Sequence, residues 1–443
     1  MASLKQNQAN SSTETADSPD LAPWAEPAWN HISSPYYNPS HRKLRNELRH
    51  YVNENILPYA LEWAEQGGCP RSEALKWAQS GFEHADVPPP YRPPNAKTPA
   101  TISLAELDVF HFLIHVDEMR RVNGGVMTSI AGASVIGAPP IIHYGTEEQK
   151  RKWLPGLFDS STSFSLAITE PGAGSDVANI GTSAKKTADG THYIVNGHKK
   201  WITGTPWATH MTTAVRTGPK GSGMAGISVL IIPMNSPGLT WRRIENSGQR
   251  GSGASFIELD DVLVPIENLV GPENAGFKII MTNFNRERFA MAVSCNRQAR
   301  DCLSTALKYA HHRHTFGGPL IANQIIRHKI ATLARGVEAH WAWLEQIAYH
   351  VQHSPLGFNN QEVAGRIALA KVTGGRLVEK AAREAQQVLG GAGYQKGEGV
   401  GGKVEQISRD LRMMVIGGGS EEIIADLAVR QEIGNARKRG WKL

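Results

Sequence analysis

Residues 164–203 read FSLAITEPGAGSDVANIGTSAKKTADGTHYIVNGHKKWIT. The apolar run at 166–168 is typical of a buried strand, and a loop of small residues follows it at 172–176. Further short strands are predicted at 184–186, 191–195 and 199–203, with Asp189-Gly190 and Asn196-Gly197 as hairpin turns between them. The stretch therefore predicts a β-domain. Its glycine loop leaves backbone N–H groups free to face a planar or anionic ligand.

Helical periodicity dominates the sequence on both sides of this β-stretch. Helices are predicted at 40–55, 60–66, 72–79, 103–122, 126–136, 146–157, 277–311, 321–352, 361–389 and 420–433. The proline-rich run at 87–94 predicts an extended loop. Further strands are predicted at 212–215, 227–232, 239–243 and 254–262. This order indicates an α+β protein with an N-terminal α-helical domain (35–160), a central small β-domain (161–272) and a C-terminal α-bundle (273–443).

The two ends of the chain bear on its location. Residues 1–34 are rich in Ser, Asn, Gln, Ala and Pro, which predicts a disordered tail, and they contain acids but no Arg. A mitochondrial presequence is therefore not evident. The chain ends in Lys442-Leu443 after basic residues, which suggests a peroxisomal address, although Trp441 is larger than the residue expected there. A peroxisomal or a cytoplasmic location is predicted.

Composition excludes several classes of protein. The 443 residues carry a net charge of +6, but no cluster of basic and aromatic residues predicts nucleic-acid binding. The apolar runs are too short to predict a membrane span. Three cysteines form no disulfide framework or metal spacing, and His311, His312 and His314 lack an acidic or cysteine partner one turn away, so no metal is predicted.

One apparent nucleotide motif is rejected. Residues 221–226 match G-x-G-x-x-G, the fingerprint of dinucleotide binding. In a Rossmann unit this pattern follows a strand and opens a helix, whereas here it precedes the strand predicted at 227–232. The interpretation that remains is a hairpin or loop.

The opening stretch gains weight from its second half. TEPGAGSD at 169–176, followed by NG-x-K-x-WIT at 196–203, resembles the flavin-binding core of the acyl-CoA dehydrogenase family. The resemblance extends over about 34–433. It implies an α-domain, a small β-domain and a C-terminal domain like a four-helix bundle. It also implies FAD-dependent α,β-dehydrogenation of an acyl-CoA thioester to the trans-2-enoyl-CoA.

Two further segments resemble cofactor-binding motifs of the family. Residues 313–317 read RHTFG and are followed by Gln324, as where an arginine meets the FAD pyrophosphate. Residues 387–394 read QVLGGAGY and resemble a loop that contacts the FAD of a neighbouring subunit, which implies a homo-oligomer, usually a homotetramer. Unlike in the family, the loop at 397–402 is longer and rich in glycine.

The resemblance implies a full set of cofactor residues. Thr169, Ser175 and Thr203 are expected to hydrogen-bond the flavin ring, with Trp201 packed near it. The whole set comprises Leu166, Ile168, Thr169, Gly174, Ser175, Trp201, Ile202, Thr203, Arg313, Thr315, Phe316, Gln324, Gln387, Gly390, Gly391, Ser420 and Glu422.

The catalytic base is displaced from its usual place. Many members carry it as the Glu of a Tyr-Glu-Gly-Thr stretch, which here reads IGGGSEEI at 416–423 with Gly418 at the position of the base. The isovaleryl-CoA and long-chain branches instead supply it from the long helix just before an Arg. That position is Glu287 here, with Glu421 or Glu422 as the fallback. The other interpretation of Glu287 is a solvated helix residue paired to arginine.

The resemblance also implies how the substrate is held. The Gly418 N–H, together with a flavin ribityl hydroxyl, is expected to bind the thioester oxygen. Arg288 is expected near the substrate, where its charge would keep Glu287 ionised. The predicted substrate-binding set is Ser175, Asn285, Arg288 and Gly419.

Several functional questions stay open at the level of sequence. The acyl group is not specified, and the electron acceptor is either an electron-transfer flavoprotein or oxygen. The alternatives to a dehydrogenase are an oxidase on the same fold and a non-dehydrogenase that retains the flavin or associates with nucleic acid.

Overall fold

The computed structural model describes residues 20–442. Its first domain contains α1 (Pro39–Asn55), α2 (Ala60–Gln66), α3 (Arg71–Ser80), α4 (Val109–Met119), α5 (Val126–Ala131), α6 (Ser134–Gly137), α7 (Pro139–Tyr144) and α8 (Glu147–Trp153). The helix predicted at 103–122 begins only at Val109, because the Asp108 carboxylate accepts hydrogen bonds from two N–H groups of the first turn. The predicted extended loop at 87–94 contains one short 3-10 turn, Pro89–Tyr91.

The predicted disordered tail needs correction from Asp20 onward, while residues 1–19 lie outside the described part. Trp29 is buried in the core of the first domain. The buried Glu26 carboxylate accepts hydrogen bonds from Arg49 at 2.7 and 3.0 Å and from Arg297 at 3.0 Å. These charge-assisted contacts hold residues 20–34 against the helical domains.

The middle domain is built on one twisted sheet. Its strands are β1 (Phe164–Ala167), β2 (Ser183–Lys186), β3 (His192–Ile202), β4 (His210–Arg216), β5 (Ile227–Pro233), β6 (Leu239–Arg243), β7 (Ser255–Pro265) and β8 (Leu269–Val270). They run in the order β6-β7-β3-β2-β4-β5-β8, and β1 pairs with β4 in parallel. Strand β5 is almost wholly buried, and its alternate side chains belong to the two apolar clusters that include sheet residues.

Two turn predictions in this domain have different outcomes. Asp189 and Gly190 do connect β2 to β3, and Gly190 has a φ of +72°. The turn predicted at Asn196-Gly197 is wrong, because β3 continues through it with a shift of register against β7. The shift of register marks a β-bulge, and the Asn196 side chain donates to Asp261 across it at 2.8 Å. The rejection of a Rossmann motif agrees with a 3-10 turn at Gly223–Gly226 directly before β5.

The described part of the C-terminal domain, residues 273–442, contains five α-helices. They are α9 (Gly276–His312), α10 (Gln324–Gln352), α11 (Gln361–Leu389), α12 (Gly402–Ile416) and α13 (Glu421–Lys438), with a short hairpin of β9 (His314–Thr315) and β10 (Gly318–Pro319) after α9. Helix α12 was not predicted. In the glycine-rich loop before it, Gly401 and Gly402 approach other backbone so closely that a Cβ would lie 2.0 and 1.9 Å from carbonyl oxygens.

Across residues 20–442, none of the helices has the length and apolar character needed to cross a membrane.

Candidate active site

Glu287 lies in the first half of α9, partly shielded from solvent. Asn283, one turn earlier, donates to its carboxylate at 2.6 Å. Burial raises the pKa of Glu287 to about 7, outweighing this hydrogen bond and the neighbouring arginine charges, which lower it. Arg288 therefore favours the ionised form of Glu287, as expected, but its charge does not offset the effect of burial. A carboxylate with a pKa near neutrality is well matched to accepting a proton at physiological pH.

Arg288 connects α9 to the glycine loop. Its Nε donates to the carbonyl oxygen of Gly418 at 2.9 Å. The guanidinium also lies over the Phe284 ring, 5.4 Å from its centroid. Arg288 therefore connects the helix that carries Glu287 to the turn that carries Gly418, so these two residues lie in the same region.

The glycines at 417–419 form a tight turn after α12. Gly418 and Gly419 have φ values of +68° and +105°, which favour glycine. A Cβ at residue 418 would lie 2.9 Å from Met291 Sδ. Within the described chain no group accepts a hydrogen bond from the Gly418 N–H. At the position where the base was predicted to be missing, the structure therefore has a free backbone donor, the kind of group that binds a developing oxyanion.

The other predicted residues of this region lie on α9 and at the start of α13. The Asn285 amide donates to the carbonyl of Phe358 at 2.9 Å, so the structure does not bring it together with Glu287. Glu421 accepts from Arg376, and that hydrogen bond is the main reason its pKa is lowered. Ser420 is the N-cap residue of α13, and Glu422 is exposed in the first turn of that helix. Glu421 is thus the poorer candidate for a base at neutral pH.

The predicted flavin wall is assembled from both halves of the opening stretch. The Lys200 N–H donates to the Thr169 carbonyl at 2.9 Å and so joins the end of β3 to the loop after β1. Among residues 20–442, the hydroxyl groups of Thr169, Ser175 and Thr203 have no hydrogen-bond partner. A Cβ at Gly174 would meet nothing within 4 Å. These free hydroxyls beside an open backbone surface fit a flat heterocycle with several hydrogen-bonding atoms, such as a flavin.

Trp201 occupies the end of β3 in an unusual conformation. It has a φ of +65° at the second register shift between β3 and β7, and its side chain is 51% exposed. Ile202, the next residue, is buried in the core of the sheet. The irregularity therefore turns the indole outward while the strand stays anchored.

Sequence reasoning missed the ion pair that supports this wall. Lys199 is fully buried and donates to the Glu170 carboxylate at 2.8 Å and to the Ile168 carbonyl at 3.0 Å. Glu170 also accepts the N–H groups of Gly181 and Thr182. Burial lowers the pKa of Lys199 to about 8. Both residues lie inside the two quoted motifs, but their 29-residue separation hides the pairing in the sequence.

Apolar packing joins the flavin wall to α9. Ile168 belongs to a buried cluster between the sheet and the helices. Leu166 and Phe284 pack against the same cluster from the two sides. Since Phe284 also contacts Arg288, the predicted flavin residues and the candidate base border one region.

The other predicted cofactor residues lie far from this region. At 1.5 Å per residue, α9 carries Arg313 about 39 Å beyond Glu287. Leu307 and Leu389, near the ends of α9 and α11, belong to one core cluster, so the motifs that follow these helices lie at the same end of the bundle. This distal group is Arg313, Thr315, Phe316, Gln324, Gln387, Gly390 and Gly391, of which Phe316 is fully exposed.

A second missed residue, Asp410, connects the three domains. Its buried carboxylate accepts the N–H of Gly124 at 2.6 Å and that of Gln249 at 2.7 Å. Gly124 belongs to the first domain and Gln249 to the middle one. Asp410 thereby fixes α12, and with it the glycine turn, relative to the flavin wall.

Comparison with known proteins decides the family. Models of the acyl-CoA dehydrogenase N-terminal, middle and C-terminal domains match residues 38–161, 165–262 and 274–433. The chain is 40% identical over 417 residues to the acyl-CoA dehydrogenase apdG of Emericella nidulans, covering 92% of this chain and 94% of that one. The chain belongs to the acyl-CoA dehydrogenase family. The predicted family, fold class and oxidoreductase activity are thereby confirmed.

Solved structures agree with this assignment. The acyl-CoA dehydrogenase of Geobacillus kaustophilus superimposes with a TM-score of 0.81 at 27% identity, covering 90% of this chain and 99% of the other. An acyl-CoA dehydrogenase of Bacillus anthracis complexed with FAD gives a TM-score of 0.81 at 25% identity, covering 95% of this chain and 72% of that one.

Proposed function

We propose that this acyl-CoA dehydrogenase uses Glu287 as the base that removes the α-proton of an acyl-CoA thioester. FAD is the cofactor of the site. The observation that carries the proposal is the pairing of two features in one region. Glu287 is a carboxylate with a pKa raised to about 7, and the family's usual base position is occupied by glycine.

The residues of this chain divide the reaction between them. The Glu287 carboxylate takes the proton from the α-carbon, and negative charge develops on the thioester oxygen. The Gly418 N–H donates to that oxygen and stabilises the enolate, while Arg288 binds the carbonyl on the other side of the same residue. Bound FAD supplies the acceptor for the β-hydrogen, which leaves as hydride. The product is the trans-2-enoyl-CoA.

The base placement resembles that of the isovaleryl-CoA and long-chain branches. With the base on α9, the turn at 417–419 carries no side chain. Both features leave room beside the reacting carbons, which suits a branched, long or bulky acyl group.

The distal cofactor residues support a homo-oligomer, with a homotetramer expected. Glu287 and Arg313 lie about 39 Å apart along α9 of one chain. Arg313 and the fully exposed Phe316 would therefore serve the FAD of another subunit. An arginine suits the FAD pyrophosphate because its charge is permanent and its donors form a planar fork.

A substrate screen tests the function. The purified flavoprotein is mixed anaerobically with short, branched, long and aromatic acyl-CoAs, and flavin absorbance is followed. The proposal predicts bleaching by at least one class and formation of the 2-enoyl-CoA. Peroxide formation at the bleaching rate under air would identify oxygen as the acceptor, and its absence would favour an electron-transfer flavoprotein. Unchanged flavin absorbance with every class would contradict the proposal.

A further inference from the structure

Lys371 is a buried cation with an unusual set of partners. It lies in the middle of α11 and is 1% exposed. Its ammonium donates to two backbone carbonyls, those of Val415 and Gly419, the second at 3.1 Å. Within residues 20–442 no carboxylate forms a salt bridge with it. Burying a charge without an acidic partner costs free energy of folding, so we expect this lysine to have a function at the carbonyls that it binds.

Both carbonyls flank the position that receives the thioester oxygen. Val415 lies in the last turn of α12, whose carbonyls have no partners within the helix. Gly419 directly follows Gly418, and Arg288 binds the Gly418 carbonyl between them. Two cations, Arg288 and Lys371, thus bind the backbone of this turn. A cation at the C-terminal end of α12 also complements the helix dipole.

The turn cannot hold itself in place. Glycines at 417, 418 and 419 provide no side chains to pack, and glycine is the residue with the greatest backbone freedom. In a trans peptide the N–H points away from the C=O. Arg288 and Lys371 therefore fix the two peptide planes that follow Gly418, and on the other side the Gly417 N–H donates to the Met413 carbonyl at 2.8 Å. The peptide that carries the Gly418 N–H lies between these fixed planes.

We infer that Lys371 is a positioning residue for the proton-abstraction step. Together with Arg288 it holds the turn at 417–419 so that the Gly418 N–H faces the thioester oxygen, and it places positive charge behind the forming enolate. This inference rests on the proposed function and assigns the lysine no contact with substrate.

The charged groups around Lys371 are consistent with this role. Burial lowers its pKa to about 8, and Cys295 and Arg288 on α9 and Glu421 and Glu422 on α13 act on it at longer range. Glu421 is already held by Arg376 at the surface. Lys371 therefore has the backbone of the turn as its direct partner.

The test uses Lys371→Met, which keeps the length of the side chain but removes its charge and donors. The readout is exchange of the α-hydrogens for deuterium in an acyl-CoA with sulfur in place of the β-carbon. Such a thioester can lose an α-proton but has no hydride to give. Exchange in D2O, followed by NMR, thus reports proton abstraction and enolate stabilisation without cofactor reduction. Lys380→Met, an exposed lysine on the same helix, is the matched control.

We expect Lys371→Met to slow exchange by about tenfold or more, which is less than the roughly 10²–10³-fold loss on removing an oxyanion donor, because the Gly418 N–H remains. Bound FAD should be retained, and the affinity for the analogue should change by less than about threefold. Lys380→Met should match the parent. If Lys371→Met does not fold, Lys371→Gln, which keeps a hydrogen-bond donor without the charge, should give an intermediate loss. Exchange within twofold of the parent in whichever of these variants folds would overturn the inference. Failure of the parent enzyme to exchange any thioester would instead refute the proposed function.

Discussion

Replacing the proposed base should stabilise the protein, and only in one range of pH. The folded state holds the proton of Glu287 with a pKa of about 7, against an ordinary value of 4.5. A folded pKa raised above the unfolded one penalises folding once the carboxyl ionises. The penalty is absent below about pH 4.5, grows up to about pH 7 and is complete above it. Glu287→Gln removes the penalty and keeps a side chain of the same shape.

The size of the effect follows from the same shift. A rise from 4.5 to about 7 corresponds to at most about 3 kcal/mol. Because the side chain is only partly buried, we expect roughly 1–2 kcal/mol, seen as a rise of a few °C in melting temperature. Melting curves of the FAD-loaded parent and variant at pH 5 and pH 8.5 measure it.

Glu421→Gln is the matched control with the opposite sign. Arg376 lowers the pKa of Glu421, so its ionised form favours the fold and its removal should not stabilise the protein at pH 8.5. The difference in melting temperature between Glu287→Gln and the parent should grow from pH 5 to pH 8.5. If it does not grow, or if the variant melts below the parent at pH 8.5, Glu287 is not a desolvated base whose ionisation destabilises the fold.

Three further variants extend these expectations. Asp86 lies 3.2 Å from Arg286, and the charge of Arg286 lowers the pKa of Glu287. Asp86→Asn leaves that positive charge without its partner, so the pKa of Glu287 should fall and activity should rise at a pH lower by less than about one unit. Gly418→Ala places a methyl group 2.9 Å from Met291 Sδ at positive φ and should cost about 1 kcal/mol or more in unfolding measurements, with slower α-hydrogen exchange. Phe316→Ala should leave the melting of the monomer fold unchanged but lower the FAD retained on gel filtration, because the ring is fully exposed in the single chain.

The main elements were predictable because their apolar spacing is long and regular. Helices α9 and α11 are found within a residue or so of the predicted bounds. Helix α12 was missed although Val404, Ile407, Leu411 and Met414 repeat at helical spacing and are buried. The glycines at 397–402 indicate a loop, although Gly402 begins the helix.

Contacts between distant residues account for what the sequence did not reveal. Glu26 is held by Arg297, 271 residues away, so composition alone indicated disorder where the structure has a buried ion network. Asp410 and Lys371 act on backbone groups of other segments, which leave no pattern in side-chain types. The base position, by contrast, stays a prediction, made because a glycine stands where the resemblance implies a carboxylate.

The most direct test of the central claim is the rate of flavin reduction in Glu287→Gln. The variant and the parent are mixed anaerobically with the best acyl-CoA, and the loss of flavin absorbance is followed in a single turnover. The account predicts full retention of FAD and a rate lower by about a hundredfold or more. Reduction at the parental rate would show that Glu287 is not the base, and Glu422 would then be the next candidate for the base.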